Sequence, residues 1–86
     1  MWKVVYRKSV QKDLKGISKD IQYIIQRTIE EKLMTDPVRF GLPLRRSLRG
    51  LMKLRVGDYR IVYSIDRDVV TVEVIKIEHR RDVYED

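Results

Sequence analysis

The sequence predicts a small α+β protein with one domain spanning residues 1–86, in which helices pack on one face of an antiparallel sheet. Three observations lead to this prediction. A length of 86 residues suits one hydrophobic core. Residues 18–35 carry isoleucines at the spacing of an amphipathic helix, and residues 51–78 have the alternation and β-branched content of strands. The expected order is an N-terminal strand, a two-helix hairpin and a three-stranded antiparallel meander.

The first strand is expected at residues 2–6. Its apolar and polar residues alternate except at Val5, which suggests that both faces of the strand are covered. A first, short helix should follow, with Ser9 as its N-cap and Gly16 near its end.

A second helix of about four turns is the most strongly indicated element. Ser18 is its predicted N-cap, and Pro37 disfavours helical geometry at the preceding residue, so the helix should end near Met34 or Thr35. Residues 37–44 are expected to form a loop. The apolar stripe of the helix comprises Ile21, Ile24, Ile25, Ile29 and Leu33.

A basic hairpin is predicted next. Two strand-like runs flank Gly57-Asp58, and a two-residue loop there makes Arg55 and Arg60 cross-strand neighbours. Because side chains alternate along a strand, Lys53 shares their face, while Met52, Leu54 and Val56 face the other way. Three cations should therefore converge on an open sheet surface, for which a polyanion is the natural ligand.

The last strand is predicted at residues 69–78, after a polar turn at residues 66–68. Its apolar positions fall on both faces, which is typical of a central strand. Residues 79–86 are charged and expected to be irregular.

Composition narrows the classes of function. The formal net charge is +6, and residues 45–55 hold five cations and no acid, although a charge run can also be an ordinary solvated face. The absence of cysteine excludes disulfides, thiolate zinc sites and cysteine nucleophiles, and one histidine leaves little for a metal, so we expect no cofactor. No apolar run approaches bilayer length and no signal peptide is evident, so we expect a cytoplasmic protein without membrane association.

Two segments carry a family resemblance. LRGLMKLRVGDYRIVY at residues 48–63, followed by a valine-rich strand and then HRRDVYE at residues 79–85, resembles the RelE/ParE toxin superfamily of toxin-antitoxin systems. The resemblance spans essentially the whole chain, and it implies the RelE-like fold. It also implies a metal-independent endoribonuclease that cleaves mRNA, commonly on the ribosome, and that a bound antitoxin, which we expect to be acidic, silences.

The resemblance also implies roles for individual residues. Lys53 resembles the general base that activates the 2′-hydroxyl, Arg60 the arginine that stabilises the phosphate, and Arg80 the arginine that assists the leaving oxygen. Arg81 is an equally placed candidate for this last role. Tyr84 resembles the tyrosine that orients the substrate. The remaining assignments are RNA-binding cations at Arg45, Arg46, Arg49, Arg55 and Arg81, and a candidate proton donor at His79.

A lysine acts as a base only in its neutral form. The like charges of Arg55 and Arg60 favour that form of Lys53, whereas solvent screening and the substrate phosphate oppose it. We therefore expect full activity to need a partner surface, such as the ribosome, that excludes water and orients the RNA.

Other interpretations stay open. Lys53 and Arg55 can be solvent-facing residues that protect a sheet from aggregation, and Arg60 can belong to a turn ion pair with Asp58. Tyr84 can simply pin the tail, and His79 can make a structural hydrogen bond. At the level of function, the alternatives are a ParE-like inhibitor of DNA gyrase and a non-catalytic module that binds nucleic acid.

Overall fold

The computed structural model describes residues 1–47 and 49–83. Its strands form one sheet in the spatial order β1-β5-β4-β3-β2, with β1 parallel to β5 and the other pairs antiparallel. The strands are β1 Lys3–Tyr6, β2 Leu42–Pro43, β3 Met52–Val56, β4 Tyr59–Asp66 and β5 Thr71–His79. The helices are α1 Ser9–Lys15, α2 Lys19–Thr28 and α3 Pro37–Phe40, with a π-helical turn at Ile29–Leu33 and a 3₁₀ turn at Arg80–Asp82.

The core lies between the helices and one face of the sheet, as the predicted α+β class requires. Buried residues of the helical layer, such as Val10 and Ile25, join a single cluster with residues of the three long strands. The strand members of this cluster are Leu54, Val56, Ile61, Tyr63, Val72, Val74 and Ile77. The predicted helix-covered sheet, its N-terminal strand β1 and its β3-β4-β5 meander are therefore confirmed, and β2 is the one strand of the sheet that was not predicted.

The two predicted N-caps have different outcomes. Ser18 caps α2 by accepting a hydrogen bond from the Ile21 N–H at 3.4 Å, as predicted. The prediction for Ser9 is wrong, because the N-cap position is Lys8, which makes no side-chain capping bond. The Ser9 hydroxyl instead donates to the Ile75 carbonyl at 3.3 Å, so it ties α1 to the sheet.

The end of the long helix is close to its predicted place. The α-helical part stops at Thr28, and one π-helical turn continues to Leu33, where the Met34 N–H donates to the Ile29 carbonyl at 3.2 Å. The predicted loop at residues 37–44 is wrong in part, since α3 and β2 occupy most of it. Asp36 caps α3 by accepting from the Arg39 N–H at 3.1 Å, and Pro37 stands at the first helical position, where its missing N–H costs nothing.

The last strand is shifted from its predicted start. Val69 and Val70 belong to the turn after β4, with Val70 at φ +47°, and β5 begins at Thr71. Within β5, Lys76 pairs with Val62 and Val74 pairs with Tyr63, so Ile75 is the extra residue of a β-bulge. Because the bulge reverses the alternation, Val74 and Ile77 both reach the core, and Glu78 faces the side of the sheet opposite the helices.

Candidate functional site

An open cleft of about 520 Å³ lies beside the basic hairpin. Its lining includes Lys53 and Arg55 of β3, Arg60 of β4 and Arg80 at the start of the 3₁₀ turn. Asp58, in the loop between β3 and β4, also lines it. The structure thus brings together four of the cations that the sequence singled out.

The hairpin loop sets this arrangement. Gly57 has φ +59°, a conformation that suits glycine at the first position of a two-residue loop. The resulting register pairs Arg55 with Arg60 and Lys53 with Val62, as predicted. Val62, the cross-strand partner of Lys53, is fully buried.

Arg60 is held by a carboxylate that sequence reasoning did not identify. The Glu78 Oε1 lies 3.0 Å from the Arg60 Nη2, and the two side chains are 19% and 16% exposed. The Lys76 Nζ lies 3.6 Å from the same oxygen. A paired and largely covered guanidinium is fixed in position, which suits it to stabilise a charge that forms at one place.

Arg80 is held much more loosely. Its N–H donates to the Asp58 carbonyl at 2.8 Å, which fixes the backbone next to the hairpin loop. Its side chain is 65% exposed and meets the Asp58 carboxylate at 3.5 Å. An exposed ion pair of this kind contributes little free energy, so the guanidinium can turn to an incoming phosphate at small cost.

Other predicted site residues lie elsewhere. Of the described residues, Arg81 and the loop cations Arg45, Arg46 and Arg49 are exposed and do not line the cleft. The loop cations precede β3 and so lie at the end of that strand opposite the Gly57-Asp58 loop. Arg81 lies beside Asp82, with 4.0 Å between Nε and Oδ1. Tyr84 falls outside the described residues.

His79 has a structural role in this arrangement. Its Nδ1 accepts a hydrogen bond from the Arg81 N–H at 3.1 Å and so caps the 3₁₀ turn. Its ring meets Tyr59 edge to face, with the centroids 5.0 Å apart. His79 is also absent from the lining of the cleft within residues 1–47 and 49–83.

The same described ranges lack two other features, a cluster of metal ligands and a membrane-spanning helix. No three His, Cys, Asp or Glu side chains in them come together as they would to hold a metal ion. None of the helices in these ranges has the length and apolar character needed to cross a bilayer.

Comparison with known proteins adds independent information. The sequence model of a family described as "ParE toxin of type II toxin-antitoxin system, parDE" matches residues 4–84. The chain is 38% identical over 73 residues to toxin RelE of Mycobacterium tuberculosis, covering 85% of this chain and 75% of that protein. It is 44% identical over 52 residues to toxin RelG of the same organism, a match that covers 60% of this chain and 60% of the length of RelG.

Solved structures give the same family. The toxin-antitoxin complex RelBE2 from Mycobacterium tuberculosis contains a chain that matches with a TM-score of 0.84 and 32% identity, covering 92% of this chain and 98% of that one. The isolated E. coli RelE toxin matches with a TM-score of 0.74 over 92% of this chain and 84% of that one, and at 17% identity it shows a shared fold. The chain therefore belongs to the RelE/ParE superfamily of toxins of type II toxin-antitoxin systems.

Proposed function

We propose that this toxin is a metal-independent endoribonuclease that cleaves mRNA. The observation that carries the proposal is the meeting of Lys53, Arg60 and Arg80 in one cleft, with Arg60 held by Glu78. A fixed guanidinium beside a lysine and an exposed guanidinium suits phosphoryl transfer, in which negative charge accumulates around phosphorus, the attacking oxygen loses a proton and the leaving oxygen gains one.

The reaction assigns one task to each cation. Lys53 in its neutral form takes the proton of the 2′-hydroxyl, whose oxygen then forms a bond to the adjacent phosphorus. Arg60 stabilises the charge on the non-bridging phosphate oxygens. The bond from phosphorus to the 5′-oxygen breaks, Arg80 hydrogen-bonds that leaving oxygen, and solvent supplies its proton. The products are a 2′,3′-cyclic phosphate and a 5′-hydroxyl.

The charges around the cleft support a dependence on a partner surface. Glu78 offsets part of the charge of Arg60, so the cleft of the free protein attracts a phosphate less strongly than an isolated guanidinium would. Exclusion of water by the ribosome strengthens the remaining interactions and orients the message. We therefore propose that the physiological substrate is mRNA on the ribosome, in the cytoplasm.

The predicted residues outside the cleft take supporting tasks in this proposal. Arg81 and the exposed loop cations Arg45, Arg46 and Arg49 contact RNA backbone, which binds cations without regard to sequence. Tyr84 orients a base of the substrate. His79 keeps the structural task of capping the 3₁₀ turn, because its Nδ1 already accepts a hydrogen bond from the Arg81 N–H.

A cognate antitoxin is also part of the proposal. The relatives of known structure include complexes of RelE toxins with RelB antitoxins. An acidic segment has charge complementarity to a chain of net charge +6 and can cover the cleft.

Expression in bacterial cells, followed by mapping of message 5′ ends, tests this function. The intact chain should produce cuts within translated codons, and Arg60→Ala should abolish both the cuts and the toxicity while the fold is retained. Arg67→Ala is the matched control, since it removes the same charge from an exposed turn of the opposite end of β4. Toxicity that persists in Arg60→Ala would contradict the site assignment.

The same cells distinguish the alternative functions. The description of the matched family as ParE toxins favours a gyrase inhibitor as the second candidate. Such a toxin should cause DNA damage and leave messages intact. A non-catalytic binding module should produce neither message cuts nor DNA damage.

A further inference from the structure

The end of the cleft away from Arg80 has an unusual composition. Phe40 and Leu42 line it with 40% and 64% of their surfaces exposed, and Lys32 stands beside them. Single exposed apolar residues are common on proteins, but here two of them border a cluster of cations in one concave site. A ligand that fits this surface must present apolar and anionic groups close together.

Two contacts with Tyr63 hold this apolar wall, formed by Phe40 and Leu42 together with Lys32, in place. The Tyr63 hydroxyl donates to the Pro37 carbonyl at 2.6 Å, which anchors the start of α3 to the core. Gly41 then passes so close to the Tyr63 ring that a Cβ at this position would collide with the hydroxyl. The segment from α3 to β2 is therefore held against a buried side chain, and Phe40 and Leu42 are presented at the cleft by its backbone.

The wall is also in register with the cations. Leu42 is the direct cross-strand partner of Lys53, so the two side chains lie on the same face of the sheet. The π-helical turn carries Lys32, whose Nζ lies 5.8 Å from the centre of the Phe40 ring, and the Arg39 guanidinium lies at the same distance. The aromatic ring thus lies near two cations and lines the same cleft as Lys53.

We propose that Phe40, Leu42 and Lys32 form a subsite for a nucleotide next to the scissile phosphate. The base stacks on the Phe40 ring and contacts Leu42, and the Lys32 ammonium neutralises the phosphate of that nucleotide. This assignment rests on the proposed action on RNA, and it adds a substrate-binding surface distinct from the proton-transfer groups. A nucleotide fits this subsite because it carries both a base with an apolar face and an anionic phosphate. The base matches the Phe40 ring, and the phosphate matches the Lys32 ammonium.

Binding of a 2′-O-methyl hexanucleotide tests the subsite without cleavage, because the nucleophilic hydroxyl is blocked. Affinity is measured by fluorescence anisotropy for the complete strand and for six versions that each lack one base. For the intact protein, one of the abasic versions should bind about tenfold more weakly, in line with the contribution of one stacked base. The Phe40→Ala variant should bind the complete strand about tenfold more weakly than the intact protein does. It should bind the complete strand and that abasic version with equal affinity.

Two control variants make the result specific. Tyr23→Ala removes another exposed aromatic ring with an arginine over it, and it should leave the effect of the missing base intact. Phe40→Trp keeps a stacking surface and should preserve the effect. Equal sensitivity to the missing base in the intact protein and in Phe40→Ala would overturn the proposal, as would the absence of measurable binding by the intact protein.

The outcome is separable from that of the ribonuclease proposal. If the intact chain cuts no message but shows the base effect that Phe40→Ala removes, the subsite stands and the catalytic assignment fails. If messages are cut but Phe40→Ala changes neither binding nor the choice of codons, the catalytic assignment stands and the subsite fails. Loss of antitoxin binding alone in Phe40→Ala would identify the wall as a protein contact and reject the nucleotide subsite.

Discussion

The Glu78 carboxylate lies 3.0 Å from the Arg60 guanidinium across adjoining strands, with less than a fifth of either side chain exposed. Arg60 is therefore already oriented when a substrate arrives, and the cleft need not reorganise to place its positive charge. The same carboxylate offsets part of the charge that binds phosphate. Glu78 therefore weakens the attraction of the cleft for RNA but fixes the position of the Arg60 guanidinium.

Glu78→Gln should lower both stability and activity. The substitution keeps the shape of the side chain but removes the charge that holds Arg60, and such a charged hydrogen bond contributes about 1.5 to 3 kcal/mol. Denaturant unfolding and message cleavage measure the two effects. Glu73→Gln breaks the more exposed pair with Arg7, so it should cost less than about 1 kcal/mol. Equal losses of stability in the two variants would contradict the special position of Glu78.

Arg80→Ala and Arg81→Ala should separate the two candidates for assisting the leaving oxygen. Arg80 lines the cleft and Arg81 does not, so Arg80→Ala should slow cleavage about a hundredfold, whereas Arg81→Ala should leave the cleavage step nearly unchanged. Both side chains are exposed, so neither change should alter stability by more than about 0.5 kcal/mol. Cleavage of ribosome-bound message under single-turnover conditions gives the rates. A larger loss for Arg81→Ala would reverse the assignment.

Tyr63 should make the stability of the fold sensitive to alkaline pH. Burial of its phenol, with a smaller contribution from the nearby Asp36 carboxylate, raises the pKa of Tyr63 to about 12 from 10.0. Above pH 10.0 the unfolded chain releases this proton while the folded chain retains it, so the free energy of unfolding falls until the pH passes about 12.

The loss attributable to Tyr63 should approach about 3 kcal/mol over that interval, since each pKa unit corresponds to about 1.4 kcal/mol. Denaturant unfolding of the wild type and of Tyr63→Phe at successive pH values measures it. The variant starts less stable because the bond to Pro37 is lost, but it should lose less stability as the pH rises. Parallel curves for the two proteins would refute this role of the phenol.

Gly41→Ala should destabilise the protein by about 1 to 3 kcal/mol, because the new methyl group overlaps the buried Tyr63 hydroxyl and the Lys53 carbonyl lies 3.1 Å from it. Gly16→Ala is the control, since a Cβ there meets only the Asp13 carbonyl at 3.9 Å. Thermal unfolding compares the two. Tyr63→Phe combined with Gly41→Ala should cost less than the sum of the single changes, and strict additivity would argue against the collision.

The hairpin was predictable because a two-residue loop leaves little freedom of register. Once Gly57-Asp58 is the loop, Arg55 must face Arg60, and alternation brings Lys53 to the same side. The long helix was predictable for a similar reason, since apolar residues recur along it every three or four positions, although Ile24 of the predicted stripe is half exposed. In both cases a local pattern and the tertiary packing demand the same structure.

Glu78 escaped prediction because its position depends on a bulge. The β5 sequence is rich in β-branched residues on both faces, so it carries no sign that Ile75 is an extra residue. Without that residue, strict alternation would place Glu78 on the helix-covered face, away from Arg60. Sequence spacing predicts side-chain direction only as far as the first irregularity in a strand.

The segment before β3 is the opposite case, because its sequence does contain the start signal of a helix. Pro37 was interpreted only as the end of the preceding helix. Asp36-Pro37 is an N-cap followed by a proline at the first helical position, a combination that starts a helix as readily as it ends one. Phe40 and Leu42 consequently entered the site as residues that the sequence had not indicated.

Two side chains of α1, Ser9 and Asp13, form hydrogen bonds with the backbone of β5 and so couple the position of this helix to that of the strand. Asp13 accepts the Ile77 N–H at 3.0 Å, one residue before Glu78, and Ser9 reaches the bulge at Ile75. A displacement of α1 would therefore pull on the peptide that precedes the anchor of Arg60. The helical layer and the sheet are therefore joined at this point by two hydrogen bonds. A ligand that shifted α1 would also shift the part of β5 that positions Glu78 and, through it, Arg60.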